Sequence, residues 1–247
     1  FKDKAKDAYE TINKGGDMLA GAAVAGAGFA AKLGMDFDSA LATLISRTGA
    51  TKEEIDALNT SMENVYANNW GESIEDVAES MATVKTNVKL SGEELERTTE
   101  YAILLRDTFD FDVNESTRTA KMLMDQYGMS AKDAYNLIVQ GAQNGLDKNG
   151  DLLDTINEYG VHFEQLGLSA EDMFNMLVNG AEEGTWSVDK LGDAVKEFGI
   201  RVKDGTADDA FKALGLSVDE MKKKFGAGGK EAKDALTKVT KALFEME

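Results

Sequence analysis

The sequence predicts an all-α protein, and three observations lead to that class. The 247-residue chain contains no proline, the residue that most often interrupts helices. No stretch shows the sustained alternation of apolar and polar residues that is typical of strands. Apolar residues at helical spacing are instead separated by glycine and restarted by Ser or Thr with an acid three residues later. We therefore expect many short helices with Gly stops and Ser/Thr caps, in a compact helical bundle or an irregular solenoid-like stack.

The N-terminal half contains signals for seven helices. Apolar residues at helical spacing predict one helix over Lys2–Lys14 and another from Phe37 to about Gly49. Five further helices are predicted to begin at residues whose side chains can accept the free N–H groups of a first turn. These capping residues are Thr51, Ser73, Ser91, Asn114 and Ser130.

The stretch Asp151–Asp204 packs several short helix signals into one run. Ser169 opens a helix with Asp172 three residues on, and Gly180 is predicted to end it. Because Asp is shorter than Glu, we expect Asp172 to act through the helix dipole rather than through reciprocal hydrogen bonds. Gly199–Lys203 could form a brief extended piece, but no partner strand is present in the sequence.

The C-terminal region repeats the same pattern. Thr206 and Ser217 are predicted to start two short helices, and a last helix runs through Leu243. Gly226–Gly229 is predicted to be a flexible linker between them.

The stretch Asp151–Asp204, together with the sequence DDAFKALGLSVDEMKKKFGAGGKEAKDAL that follows it, resembles the core region of bacteriophage tail tape-measure proteins. The resemblance covers the chain from about Gly21 to its end, and its motifs are diagnostic only as an ensemble. It implies a structural virion component that serves tail assembly and length determination and is released during genome ejection. It also implies a place in the tail lumen, after assembly in the host cytoplasm.

The same resemblance implies partners. These are the tail tube and tail-tip proteins, three or six copies of the chain itself, and the host envelope during ejection. A ruler would be a long uninterrupted heptad rod, and this chain is too often interrupted by glycine to form one. We therefore expect a globular part of a longer tape-measure protein.

Three segments are predicted along the chain. Residues 1–34 hold N-terminal helices with an Ala/Gly-rich segment, and residues 35–145 and 146–247 form two helical subdomains, divided in the polar loop Leu146–Gly150. The uncharged run Met18–Ala31 is shorter than the roughly 20 residues that cross a bilayer. A buried or self-packing helix is favoured there over contact with lipid.

Charge and cysteine content exclude several classes of function. The formal net charge is −18, so the chain should repel nucleic acid rather than bind it specifically. The absence of cysteine excludes disulfides, thiolate nucleophiles and zinc–sulfur sites.

One segment resembles the start of a calcium-binding loop. Asp147, Asn149, Asp151 and Glu158 fall at the spacing of ligand positions 1, 3, 5 and 12. However, Leu152 stands where the loop requires glycine. We expect a polar turn followed by an Asp151 N-cap, without a tight metal site.

Two glycine-rich motifs match nucleotide-binding patterns only loosely. Gly26–Ala31 fits the dinucleotide fingerprint but has no preceding strand. Gly226–Lys230 is followed by Glu231 instead of the hydroxyl residue that holds magnesium. Neither motif predicts a cofactor.

Candidate catalytic residues are few. His162 is the only histidine and is flanked by apolar residues, which predicts a partly buried structural role. Glu72-Ser73 and Glu115-Ser116 contain the Glu-Ser pair of phage-associated transglycosylases, but both stand at predicted helix starts. We predict no enzyme activity and no catalytic, cofactor or metal residues. The alternatives kept open are a helical protein-interaction module unrelated to phage and, less favoured, a peptidoglycan-cleaving domain.

Large apolar side chains could serve either a core or a binding face, and the sequence does not separate the two. This set comprises Trp70, Trp186, Phe174, Phe198, Phe211 and the methionines Met122, Met124, Met129, Met173 and Met176.

Overall fold

The computed structural model describes residues 30–184 and 187–246, and the helices there confirm the all-α class. The first six are α1 (Ala30–Thr48), α2 (Lys52–Ala67), α3 (Ile74–Val88), α4 (Gly92–Phe109), α5 (Val113–Tyr127) and α6 (Ala131–Gln143). The next six are α7 (Leu152–Gln165), α8 (Ala170–Glu182), α9 (Val188–Asp204), α10 (Asp208–Ala213), α11 (Val218–Ala227) and α12 (Gly229–Phe244). Neither of these two described ranges contains a strand. None of the twelve helices has the length and apolar character that crossing a membrane requires.

Capping residues begin the helices at most of the predicted positions. The hydroxyl groups of Ser73, Ser169 and Ser217 each accept the backbone N–H three residues later, at 3.1–3.3 Å. The prediction for Asp172 was wrong, because its carboxylate does accept the N–H of Ser169, at 3.0 Å. The shorter acid therefore completes a reciprocal capping box.

Two predicted helix starts were misplaced by one or two residues. The cap of α5 is Asp112 and not Asn114, since the Asp112 carboxylate accepts the N–H groups of Asn114 and Glu115. Ala207, rather than Thr206, precedes α10, and the hydroxyl of Thr206 donates to Asp204 instead.

Two predictions about glycine-rich segments were wrong, and the brief extended piece considered for Gly199–Lys203 is not formed. Gly180 lies inside α8, where a methyl group would come within 2.5 Å of the Leu191 side chain of α9. Gly199–Lys203 is helical within α9. Gly226–Gly229 is not a linker, because Gly228 alone separates α11 from α12.

The described helices divide into two compact units. The first holds α1–α4, the start of α5 up to Lys121, and residues Ser130–Gln143. Within it α3 packs on α1 and α4, and α2 packs on α4. The hydroxyl of Ser61 donates to Glu96 at 2.8 Å, which joins α2 to α4. The buried Tyr135 of α6 contacts the ring of Tyr101 in α4, with ring centroids 5.8 Å apart.

The second unit holds residues 122–129 and the chain from Asn144 onward. Its largest helix–helix contact is between α7 and α9, where Gly192 lies directly against the ring of Tyr159. The hydroxyl of Tyr159 donates to Asp189 at 3.1 Å. Phe225 of α11 contacts the rings of Phe198 and Phe211, which closes the core of this unit. The predicted division of the chain into residues 35–145 and 146–247 stays a prediction, and residues 1–29 lie outside the described part.

Candidate interaction surface

An apolar groove between α8 and α12 is the main exposed apolar feature of the second unit. Gly167 brings the loop before α8 into direct backbone contact with Gly229, the first residue of α12. Residues of α8, α12 and the loop before α8 line a groove of about 640 Å³ on this side of the unit. Its apolar lining is supplied by Leu168, Met176, Leu236 and Phe244.

The side chains of the groove follow helical spacing. Leu236, Thr240 and Phe244 lie four residues apart on α12, so they form one line along the helix. Met176 is 41% exposed and Phe244 is 74% exposed. Large apolar side chains exposed beside one another mark surfaces that contact other proteins. A groove of this shape suits the apolar face of an amphipathic helix.

Charged groups frame the groove at both ends. Lys233 of α12 forms an ion pair with Asp172, the third residue of α8. The hydrogen bond from Lys233, with the N–H of Ser169, holds the pKa of Asp172 below its usual range. Lys241 and Glu245 pair at 3.7 Å at the other end. The two helices are therefore joined where the groove begins.

The sequence contains a signal for this surface in the spacing of apolar residues along α12. The buried residues of α12 are Ala232, Ala235 and Val239, which places the core on one face of the helix. Phe244 falls off that face, and Leu243 and Met246 are also more than half exposed. Among the predicted interface candidates, Phe174, Phe211 and Met173 are instead buried in the core. Trp186 lies outside the described residues.

The two Glu-Ser dipeptides occupy helix starts. Ser73 caps α3, and the N–H of Glu72 donates to Asp76 at 2.9 Å. Ser116 is fully buried in the first turn of α5, where its hydroxyl donates to the carbonyl of Val113 at 3.2 Å. Each serine thus has a hydrogen bond to the local backbone that accounts for its position.

The carboxylates of the calcium-loop motif have separate protein partners. Asp151 is the N-cap residue of α7, as predicted, but its side chain makes no capping hydrogen bond; the carboxylate of Asp147 accepts the N–H of Leu152 instead, at 3.1 Å. Asp151 accepts the hydroxyl of Ser187 at 2.8 Å, and Glu158 lies 3.6 Å from the ammonium group of Lys196. In residues 30–184 and 187–246, no group of three or more His or acidic residues is arranged to hold a metal ion. The loose dinucleotide motif Gly26–Ala31 lies outside the described residues except for the two alanines that begin α1.

Comparison with known proteins identifies the family. The model of the phage-related minor tail protein family matches residues 66–247, which include the last two residues of α2 and all of α3–α12. The chain belongs to this family. A minor tail protein has a structural role in the phage tail, so the expectation of a structural virion protein is confirmed at that level.

A curated relative agrees with this assignment. The "Probable tape measure protein" of Streptomyces phage phiC31 is 45% identical over 155 residues. The match covers 62% of this chain and 21% of that relative, so the chain spans well under two thirds of the relative's length. The resemblance to tape-measure proteins is therefore confirmed. No solved structure matches the chain.

Proposed function

We propose that this minor tail protein is a globular part of a tape-measure protein, which acts in tail assembly and length determination and leaves the tail during genome ejection. The observation that carries the proposal is the 45% identity to a probable tape measure protein along a fifth of its length. The alternation of short helices with glycine turns supports a globular part rather than the extended ruler. The site of action is the tail lumen, reached by assembly in the host cytoplasm.

Tail length tests the proposal in a phage that encodes the full-length tape-measure protein. An extended helical ruler adds about 1.5 Å per residue, so deleting about 200 residues of ruler shortens the tail by roughly 300 Å. For an in-frame deletion of residues 30–246 we expect tails of normal length. Shortening in proportion to the deletion would show that the segment is part of the ruler. Where the deletion blocks assembly, duplication of the segment gives the same test, with no lengthening expected.

The groove between α8 and α12 is the surface proposed to contact other tail components. Tail tube and tail-tip proteins, and further copies of this chain in groups of three or six, are the proposed partners. The exposed apolar side chains of Met176 and Phe244 in the groove support this assignment. Quantitative mass spectrometry of purified particles, with native mass spectrometry of the isolated chain, measures copy number. A chain that is monomeric in both would contradict the self-association.

The acidic surface is proposed to let the protein share a tail with DNA without binding it. A net charge of −18 repels phosphate at the distances that salt leaves unscreened. No enzyme activity is proposed. Titration of duplex DNA at moderate salt should give no binding, and a zymogram on peptidoglycan should give no clearing. Contact with the host envelope during ejection is proposed only from the family resemblance.

A further inference from the structure

A small cavity between α7 and α9 is lined in a way that the tail function does not require. Its volume is about 50 Å³, several times the roughly 10–15 Å³ that one water molecule needs. Apolar side chains form its floor: Leu166, Val202 and Phe225 are buried, and Ile200 at its edge is 43% exposed. The space therefore has room for a short aliphatic group.

Cationic and polar side chains stand around the same cavity. His162 and Gln165 come from α7, and Lys196 and Lys203 come from α9. The ammonium group of Lys203 donates to Gln165 at 3.1 Å. That of Lys196 lies 3.5 Å from Asp193 and 3.6 Å from Glu158, and 5.4 Å from the centre of the Tyr159 ring. The Lys203 bond is to a neutral amide, so its charge is not neutralised by that partner.

Two ammonium groups, those of Lys196 and Lys203, line the cavity beside His162, although the chain as a whole is strongly acidic. Burial lowers the pKa of His162, and the ammonium groups of Lys196 and Lys203 lower it further. Glu158 opposes them with a smaller effect. An anionic group placed beside the imidazole would therefore be attracted by both lysines.

We propose that this cavity binds a carboxylate carried on a short branched aliphatic group, with the aliphatic part on Leu166, Val202 and Phe225 and the carboxylate between His162, Lys196 and Lys203. The volume selects a small apolar group, and the lysines select the negative charge. Such a group occurs on free short-chain acids and at the end of a peptide whose last residue is Leu or Val. The two sources present the same chemistry to the cavity.

His162 is the only histidine of the chain, so the NMR signal of its imidazole reports on this cavity without ambiguity. The probe is isovalerate, with isovaleramide as the uncharged analogue of the same shape and acetate as the charge without the aliphatic group. We expect a saturable shift with isovalerate and at least tenfold weaker binding of the other two. Acetyl-Gly-Leu with a free or an amidated carboxyl end then distinguishes a peptide end from a free acid.

Variants decide whether the shift comes from the proposed contacts. The double change Lys196→Gln and Lys203→Gln should weaken isovalerate binding at least tenfold, while Lys212→Gln, which removes an exposed lysine of α10, should leave it unchanged. Circular dichroism confirms that each variant keeps its helices. If neither isovalerate nor acetyl-Gly-Leu with a free carboxyl end gives a saturable shift, the cavity is not a carboxylate site. The same conclusion follows if the lysine substitutions leave the affinity unaltered.

Discussion

Arg106 donates two parallel hydrogen bonds to Asp76, from Nη1 to Oδ1 at 2.5 Å and from Nη2 to Oδ2 at 3.0 Å. Asp76 lies in the first turn of α3 and Arg106 in the last turn of α4, so the pair ties two helix ends within the first unit. Both side chains are about three-quarters buried, which shields the pair from solvent. Asp76 also accepts the N–H of Glu72 at 2.9 Å.

Substitution of Asp76 should destabilise the first unit measurably. Asp76→Asn keeps the size of the side chain but removes the carboxylate that binds both Nη atoms of Arg106, and leaves only Asp107, which accepts from Nε at 2.8 Å. We expect a loss of about 1–3 kcal/mol in the free energy of unfolding, measured by urea denaturation. The control is Asp209→Asn, which breaks the exposed pair with Lys212 and should leave the midpoint unchanged. Equal effects of the two substitutions would show that burial of the pair is unimportant.

The same pair should make stability depend on acid pH. Burial acts to raise the pKa of Asp76, but the hydrogen bonds from Arg106 and Glu72 outweigh it and leave the pKa below the usual 3.8. A lowered folded-state pKa stabilises the protein above the unfolded-state value, and this stabilisation is lost as the pH falls through the folded-state value. The difference between wild type and Asp76→Asn should therefore be constant from pH 7 to about 5 and shrink below pH 4. Urea denaturation across this range measures it, and a difference that does not begin to shrink below pH 4 would contradict the assignment.

Gly167 should tolerate no side chain, for two separable reasons. Its φ is +75°, and a methyl group there would overlap the carbonyl of Gly229. Gly215 has a similar φ of +70° with open space around it, so Gly215→Ala isolates the backbone strain. We expect Gly215→Ala to cost about 1–2 kcal/mol and Gly167→Ala about 2–5 kcal/mol, measured by thermal and urea denaturation. Equal costs would mean that α12 does not approach the loop as closely as described.

Two glycines of α9 should respond in opposite directions to alanine. Gly199 has open space beside it, so Gly199→Ala should stabilise the helix by about 0.5–1 kcal/mol. Gly192 lies against the Tyr159 ring, so Gly192→Ala should destabilise by about 1–3 kcal/mol through overpacking. Denaturation midpoints of the two variants measure the contrast, and the same sign for both would contradict the close contact of α9 with α7.

Phe244 should matter for assembly and not for folding. Its side chain is 74% exposed, so Phe244→Ser should leave the denaturation midpoint unchanged. Because Phe244 lines the proposed contact groove, the substitution should lower the yield of complete tails, counted by electron microscopy of lysates. Leu243→Ser is the matched control, an exposed apolar residue on the same helix that does not line the groove. Normal tail yield with Phe244→Ser would exclude the groove as a contact surface.

Local signals predicted most of the helices because they act within a few residues. Ser73, Ser169 and Ser217 satisfy N–H groups three positions away, and that relationship depends only on the sequence nearby. The misplacement at α5 arose because a second capping residue, Asp112, lies two positions before the predicted Asn114. The carboxylate of Asp112 reaches two N–H groups, and for this reason it takes the place predicted for Asn114.

The groove could be predicted only in part. The helical spacing of Ala232, Ala235 and Val239 showed which face of α12 is buried, and Phe244 lies off that face. What lies opposite Phe244 depends on where α8 packs, which no local pattern specifies. Of the cavity at His162, the sequence predicted only that this histidine is partly buried. Lys196 and Lys203, which are 34 and more residues away, reach it through the packing of α9 on α7.

By itself, the sequence determined the helical class, the capping serines, the acidic charge and the family of this tail protein, because those properties reside in residue types and short spacings. The tertiary structure alone decided which glycines end a helix and which lie inside a helix in close contact with the side chain of another helix. Gly180 and Gly192 look like Gly205 in the sequence, yet the first two are helical and touch Leu191 and Tyr159, while Gly205 ends α9. Glycine allows both outcomes, since the missing side chain permits a left-handed backbone as well as close packing. The contacts that choose between them come from residues distant in the chain.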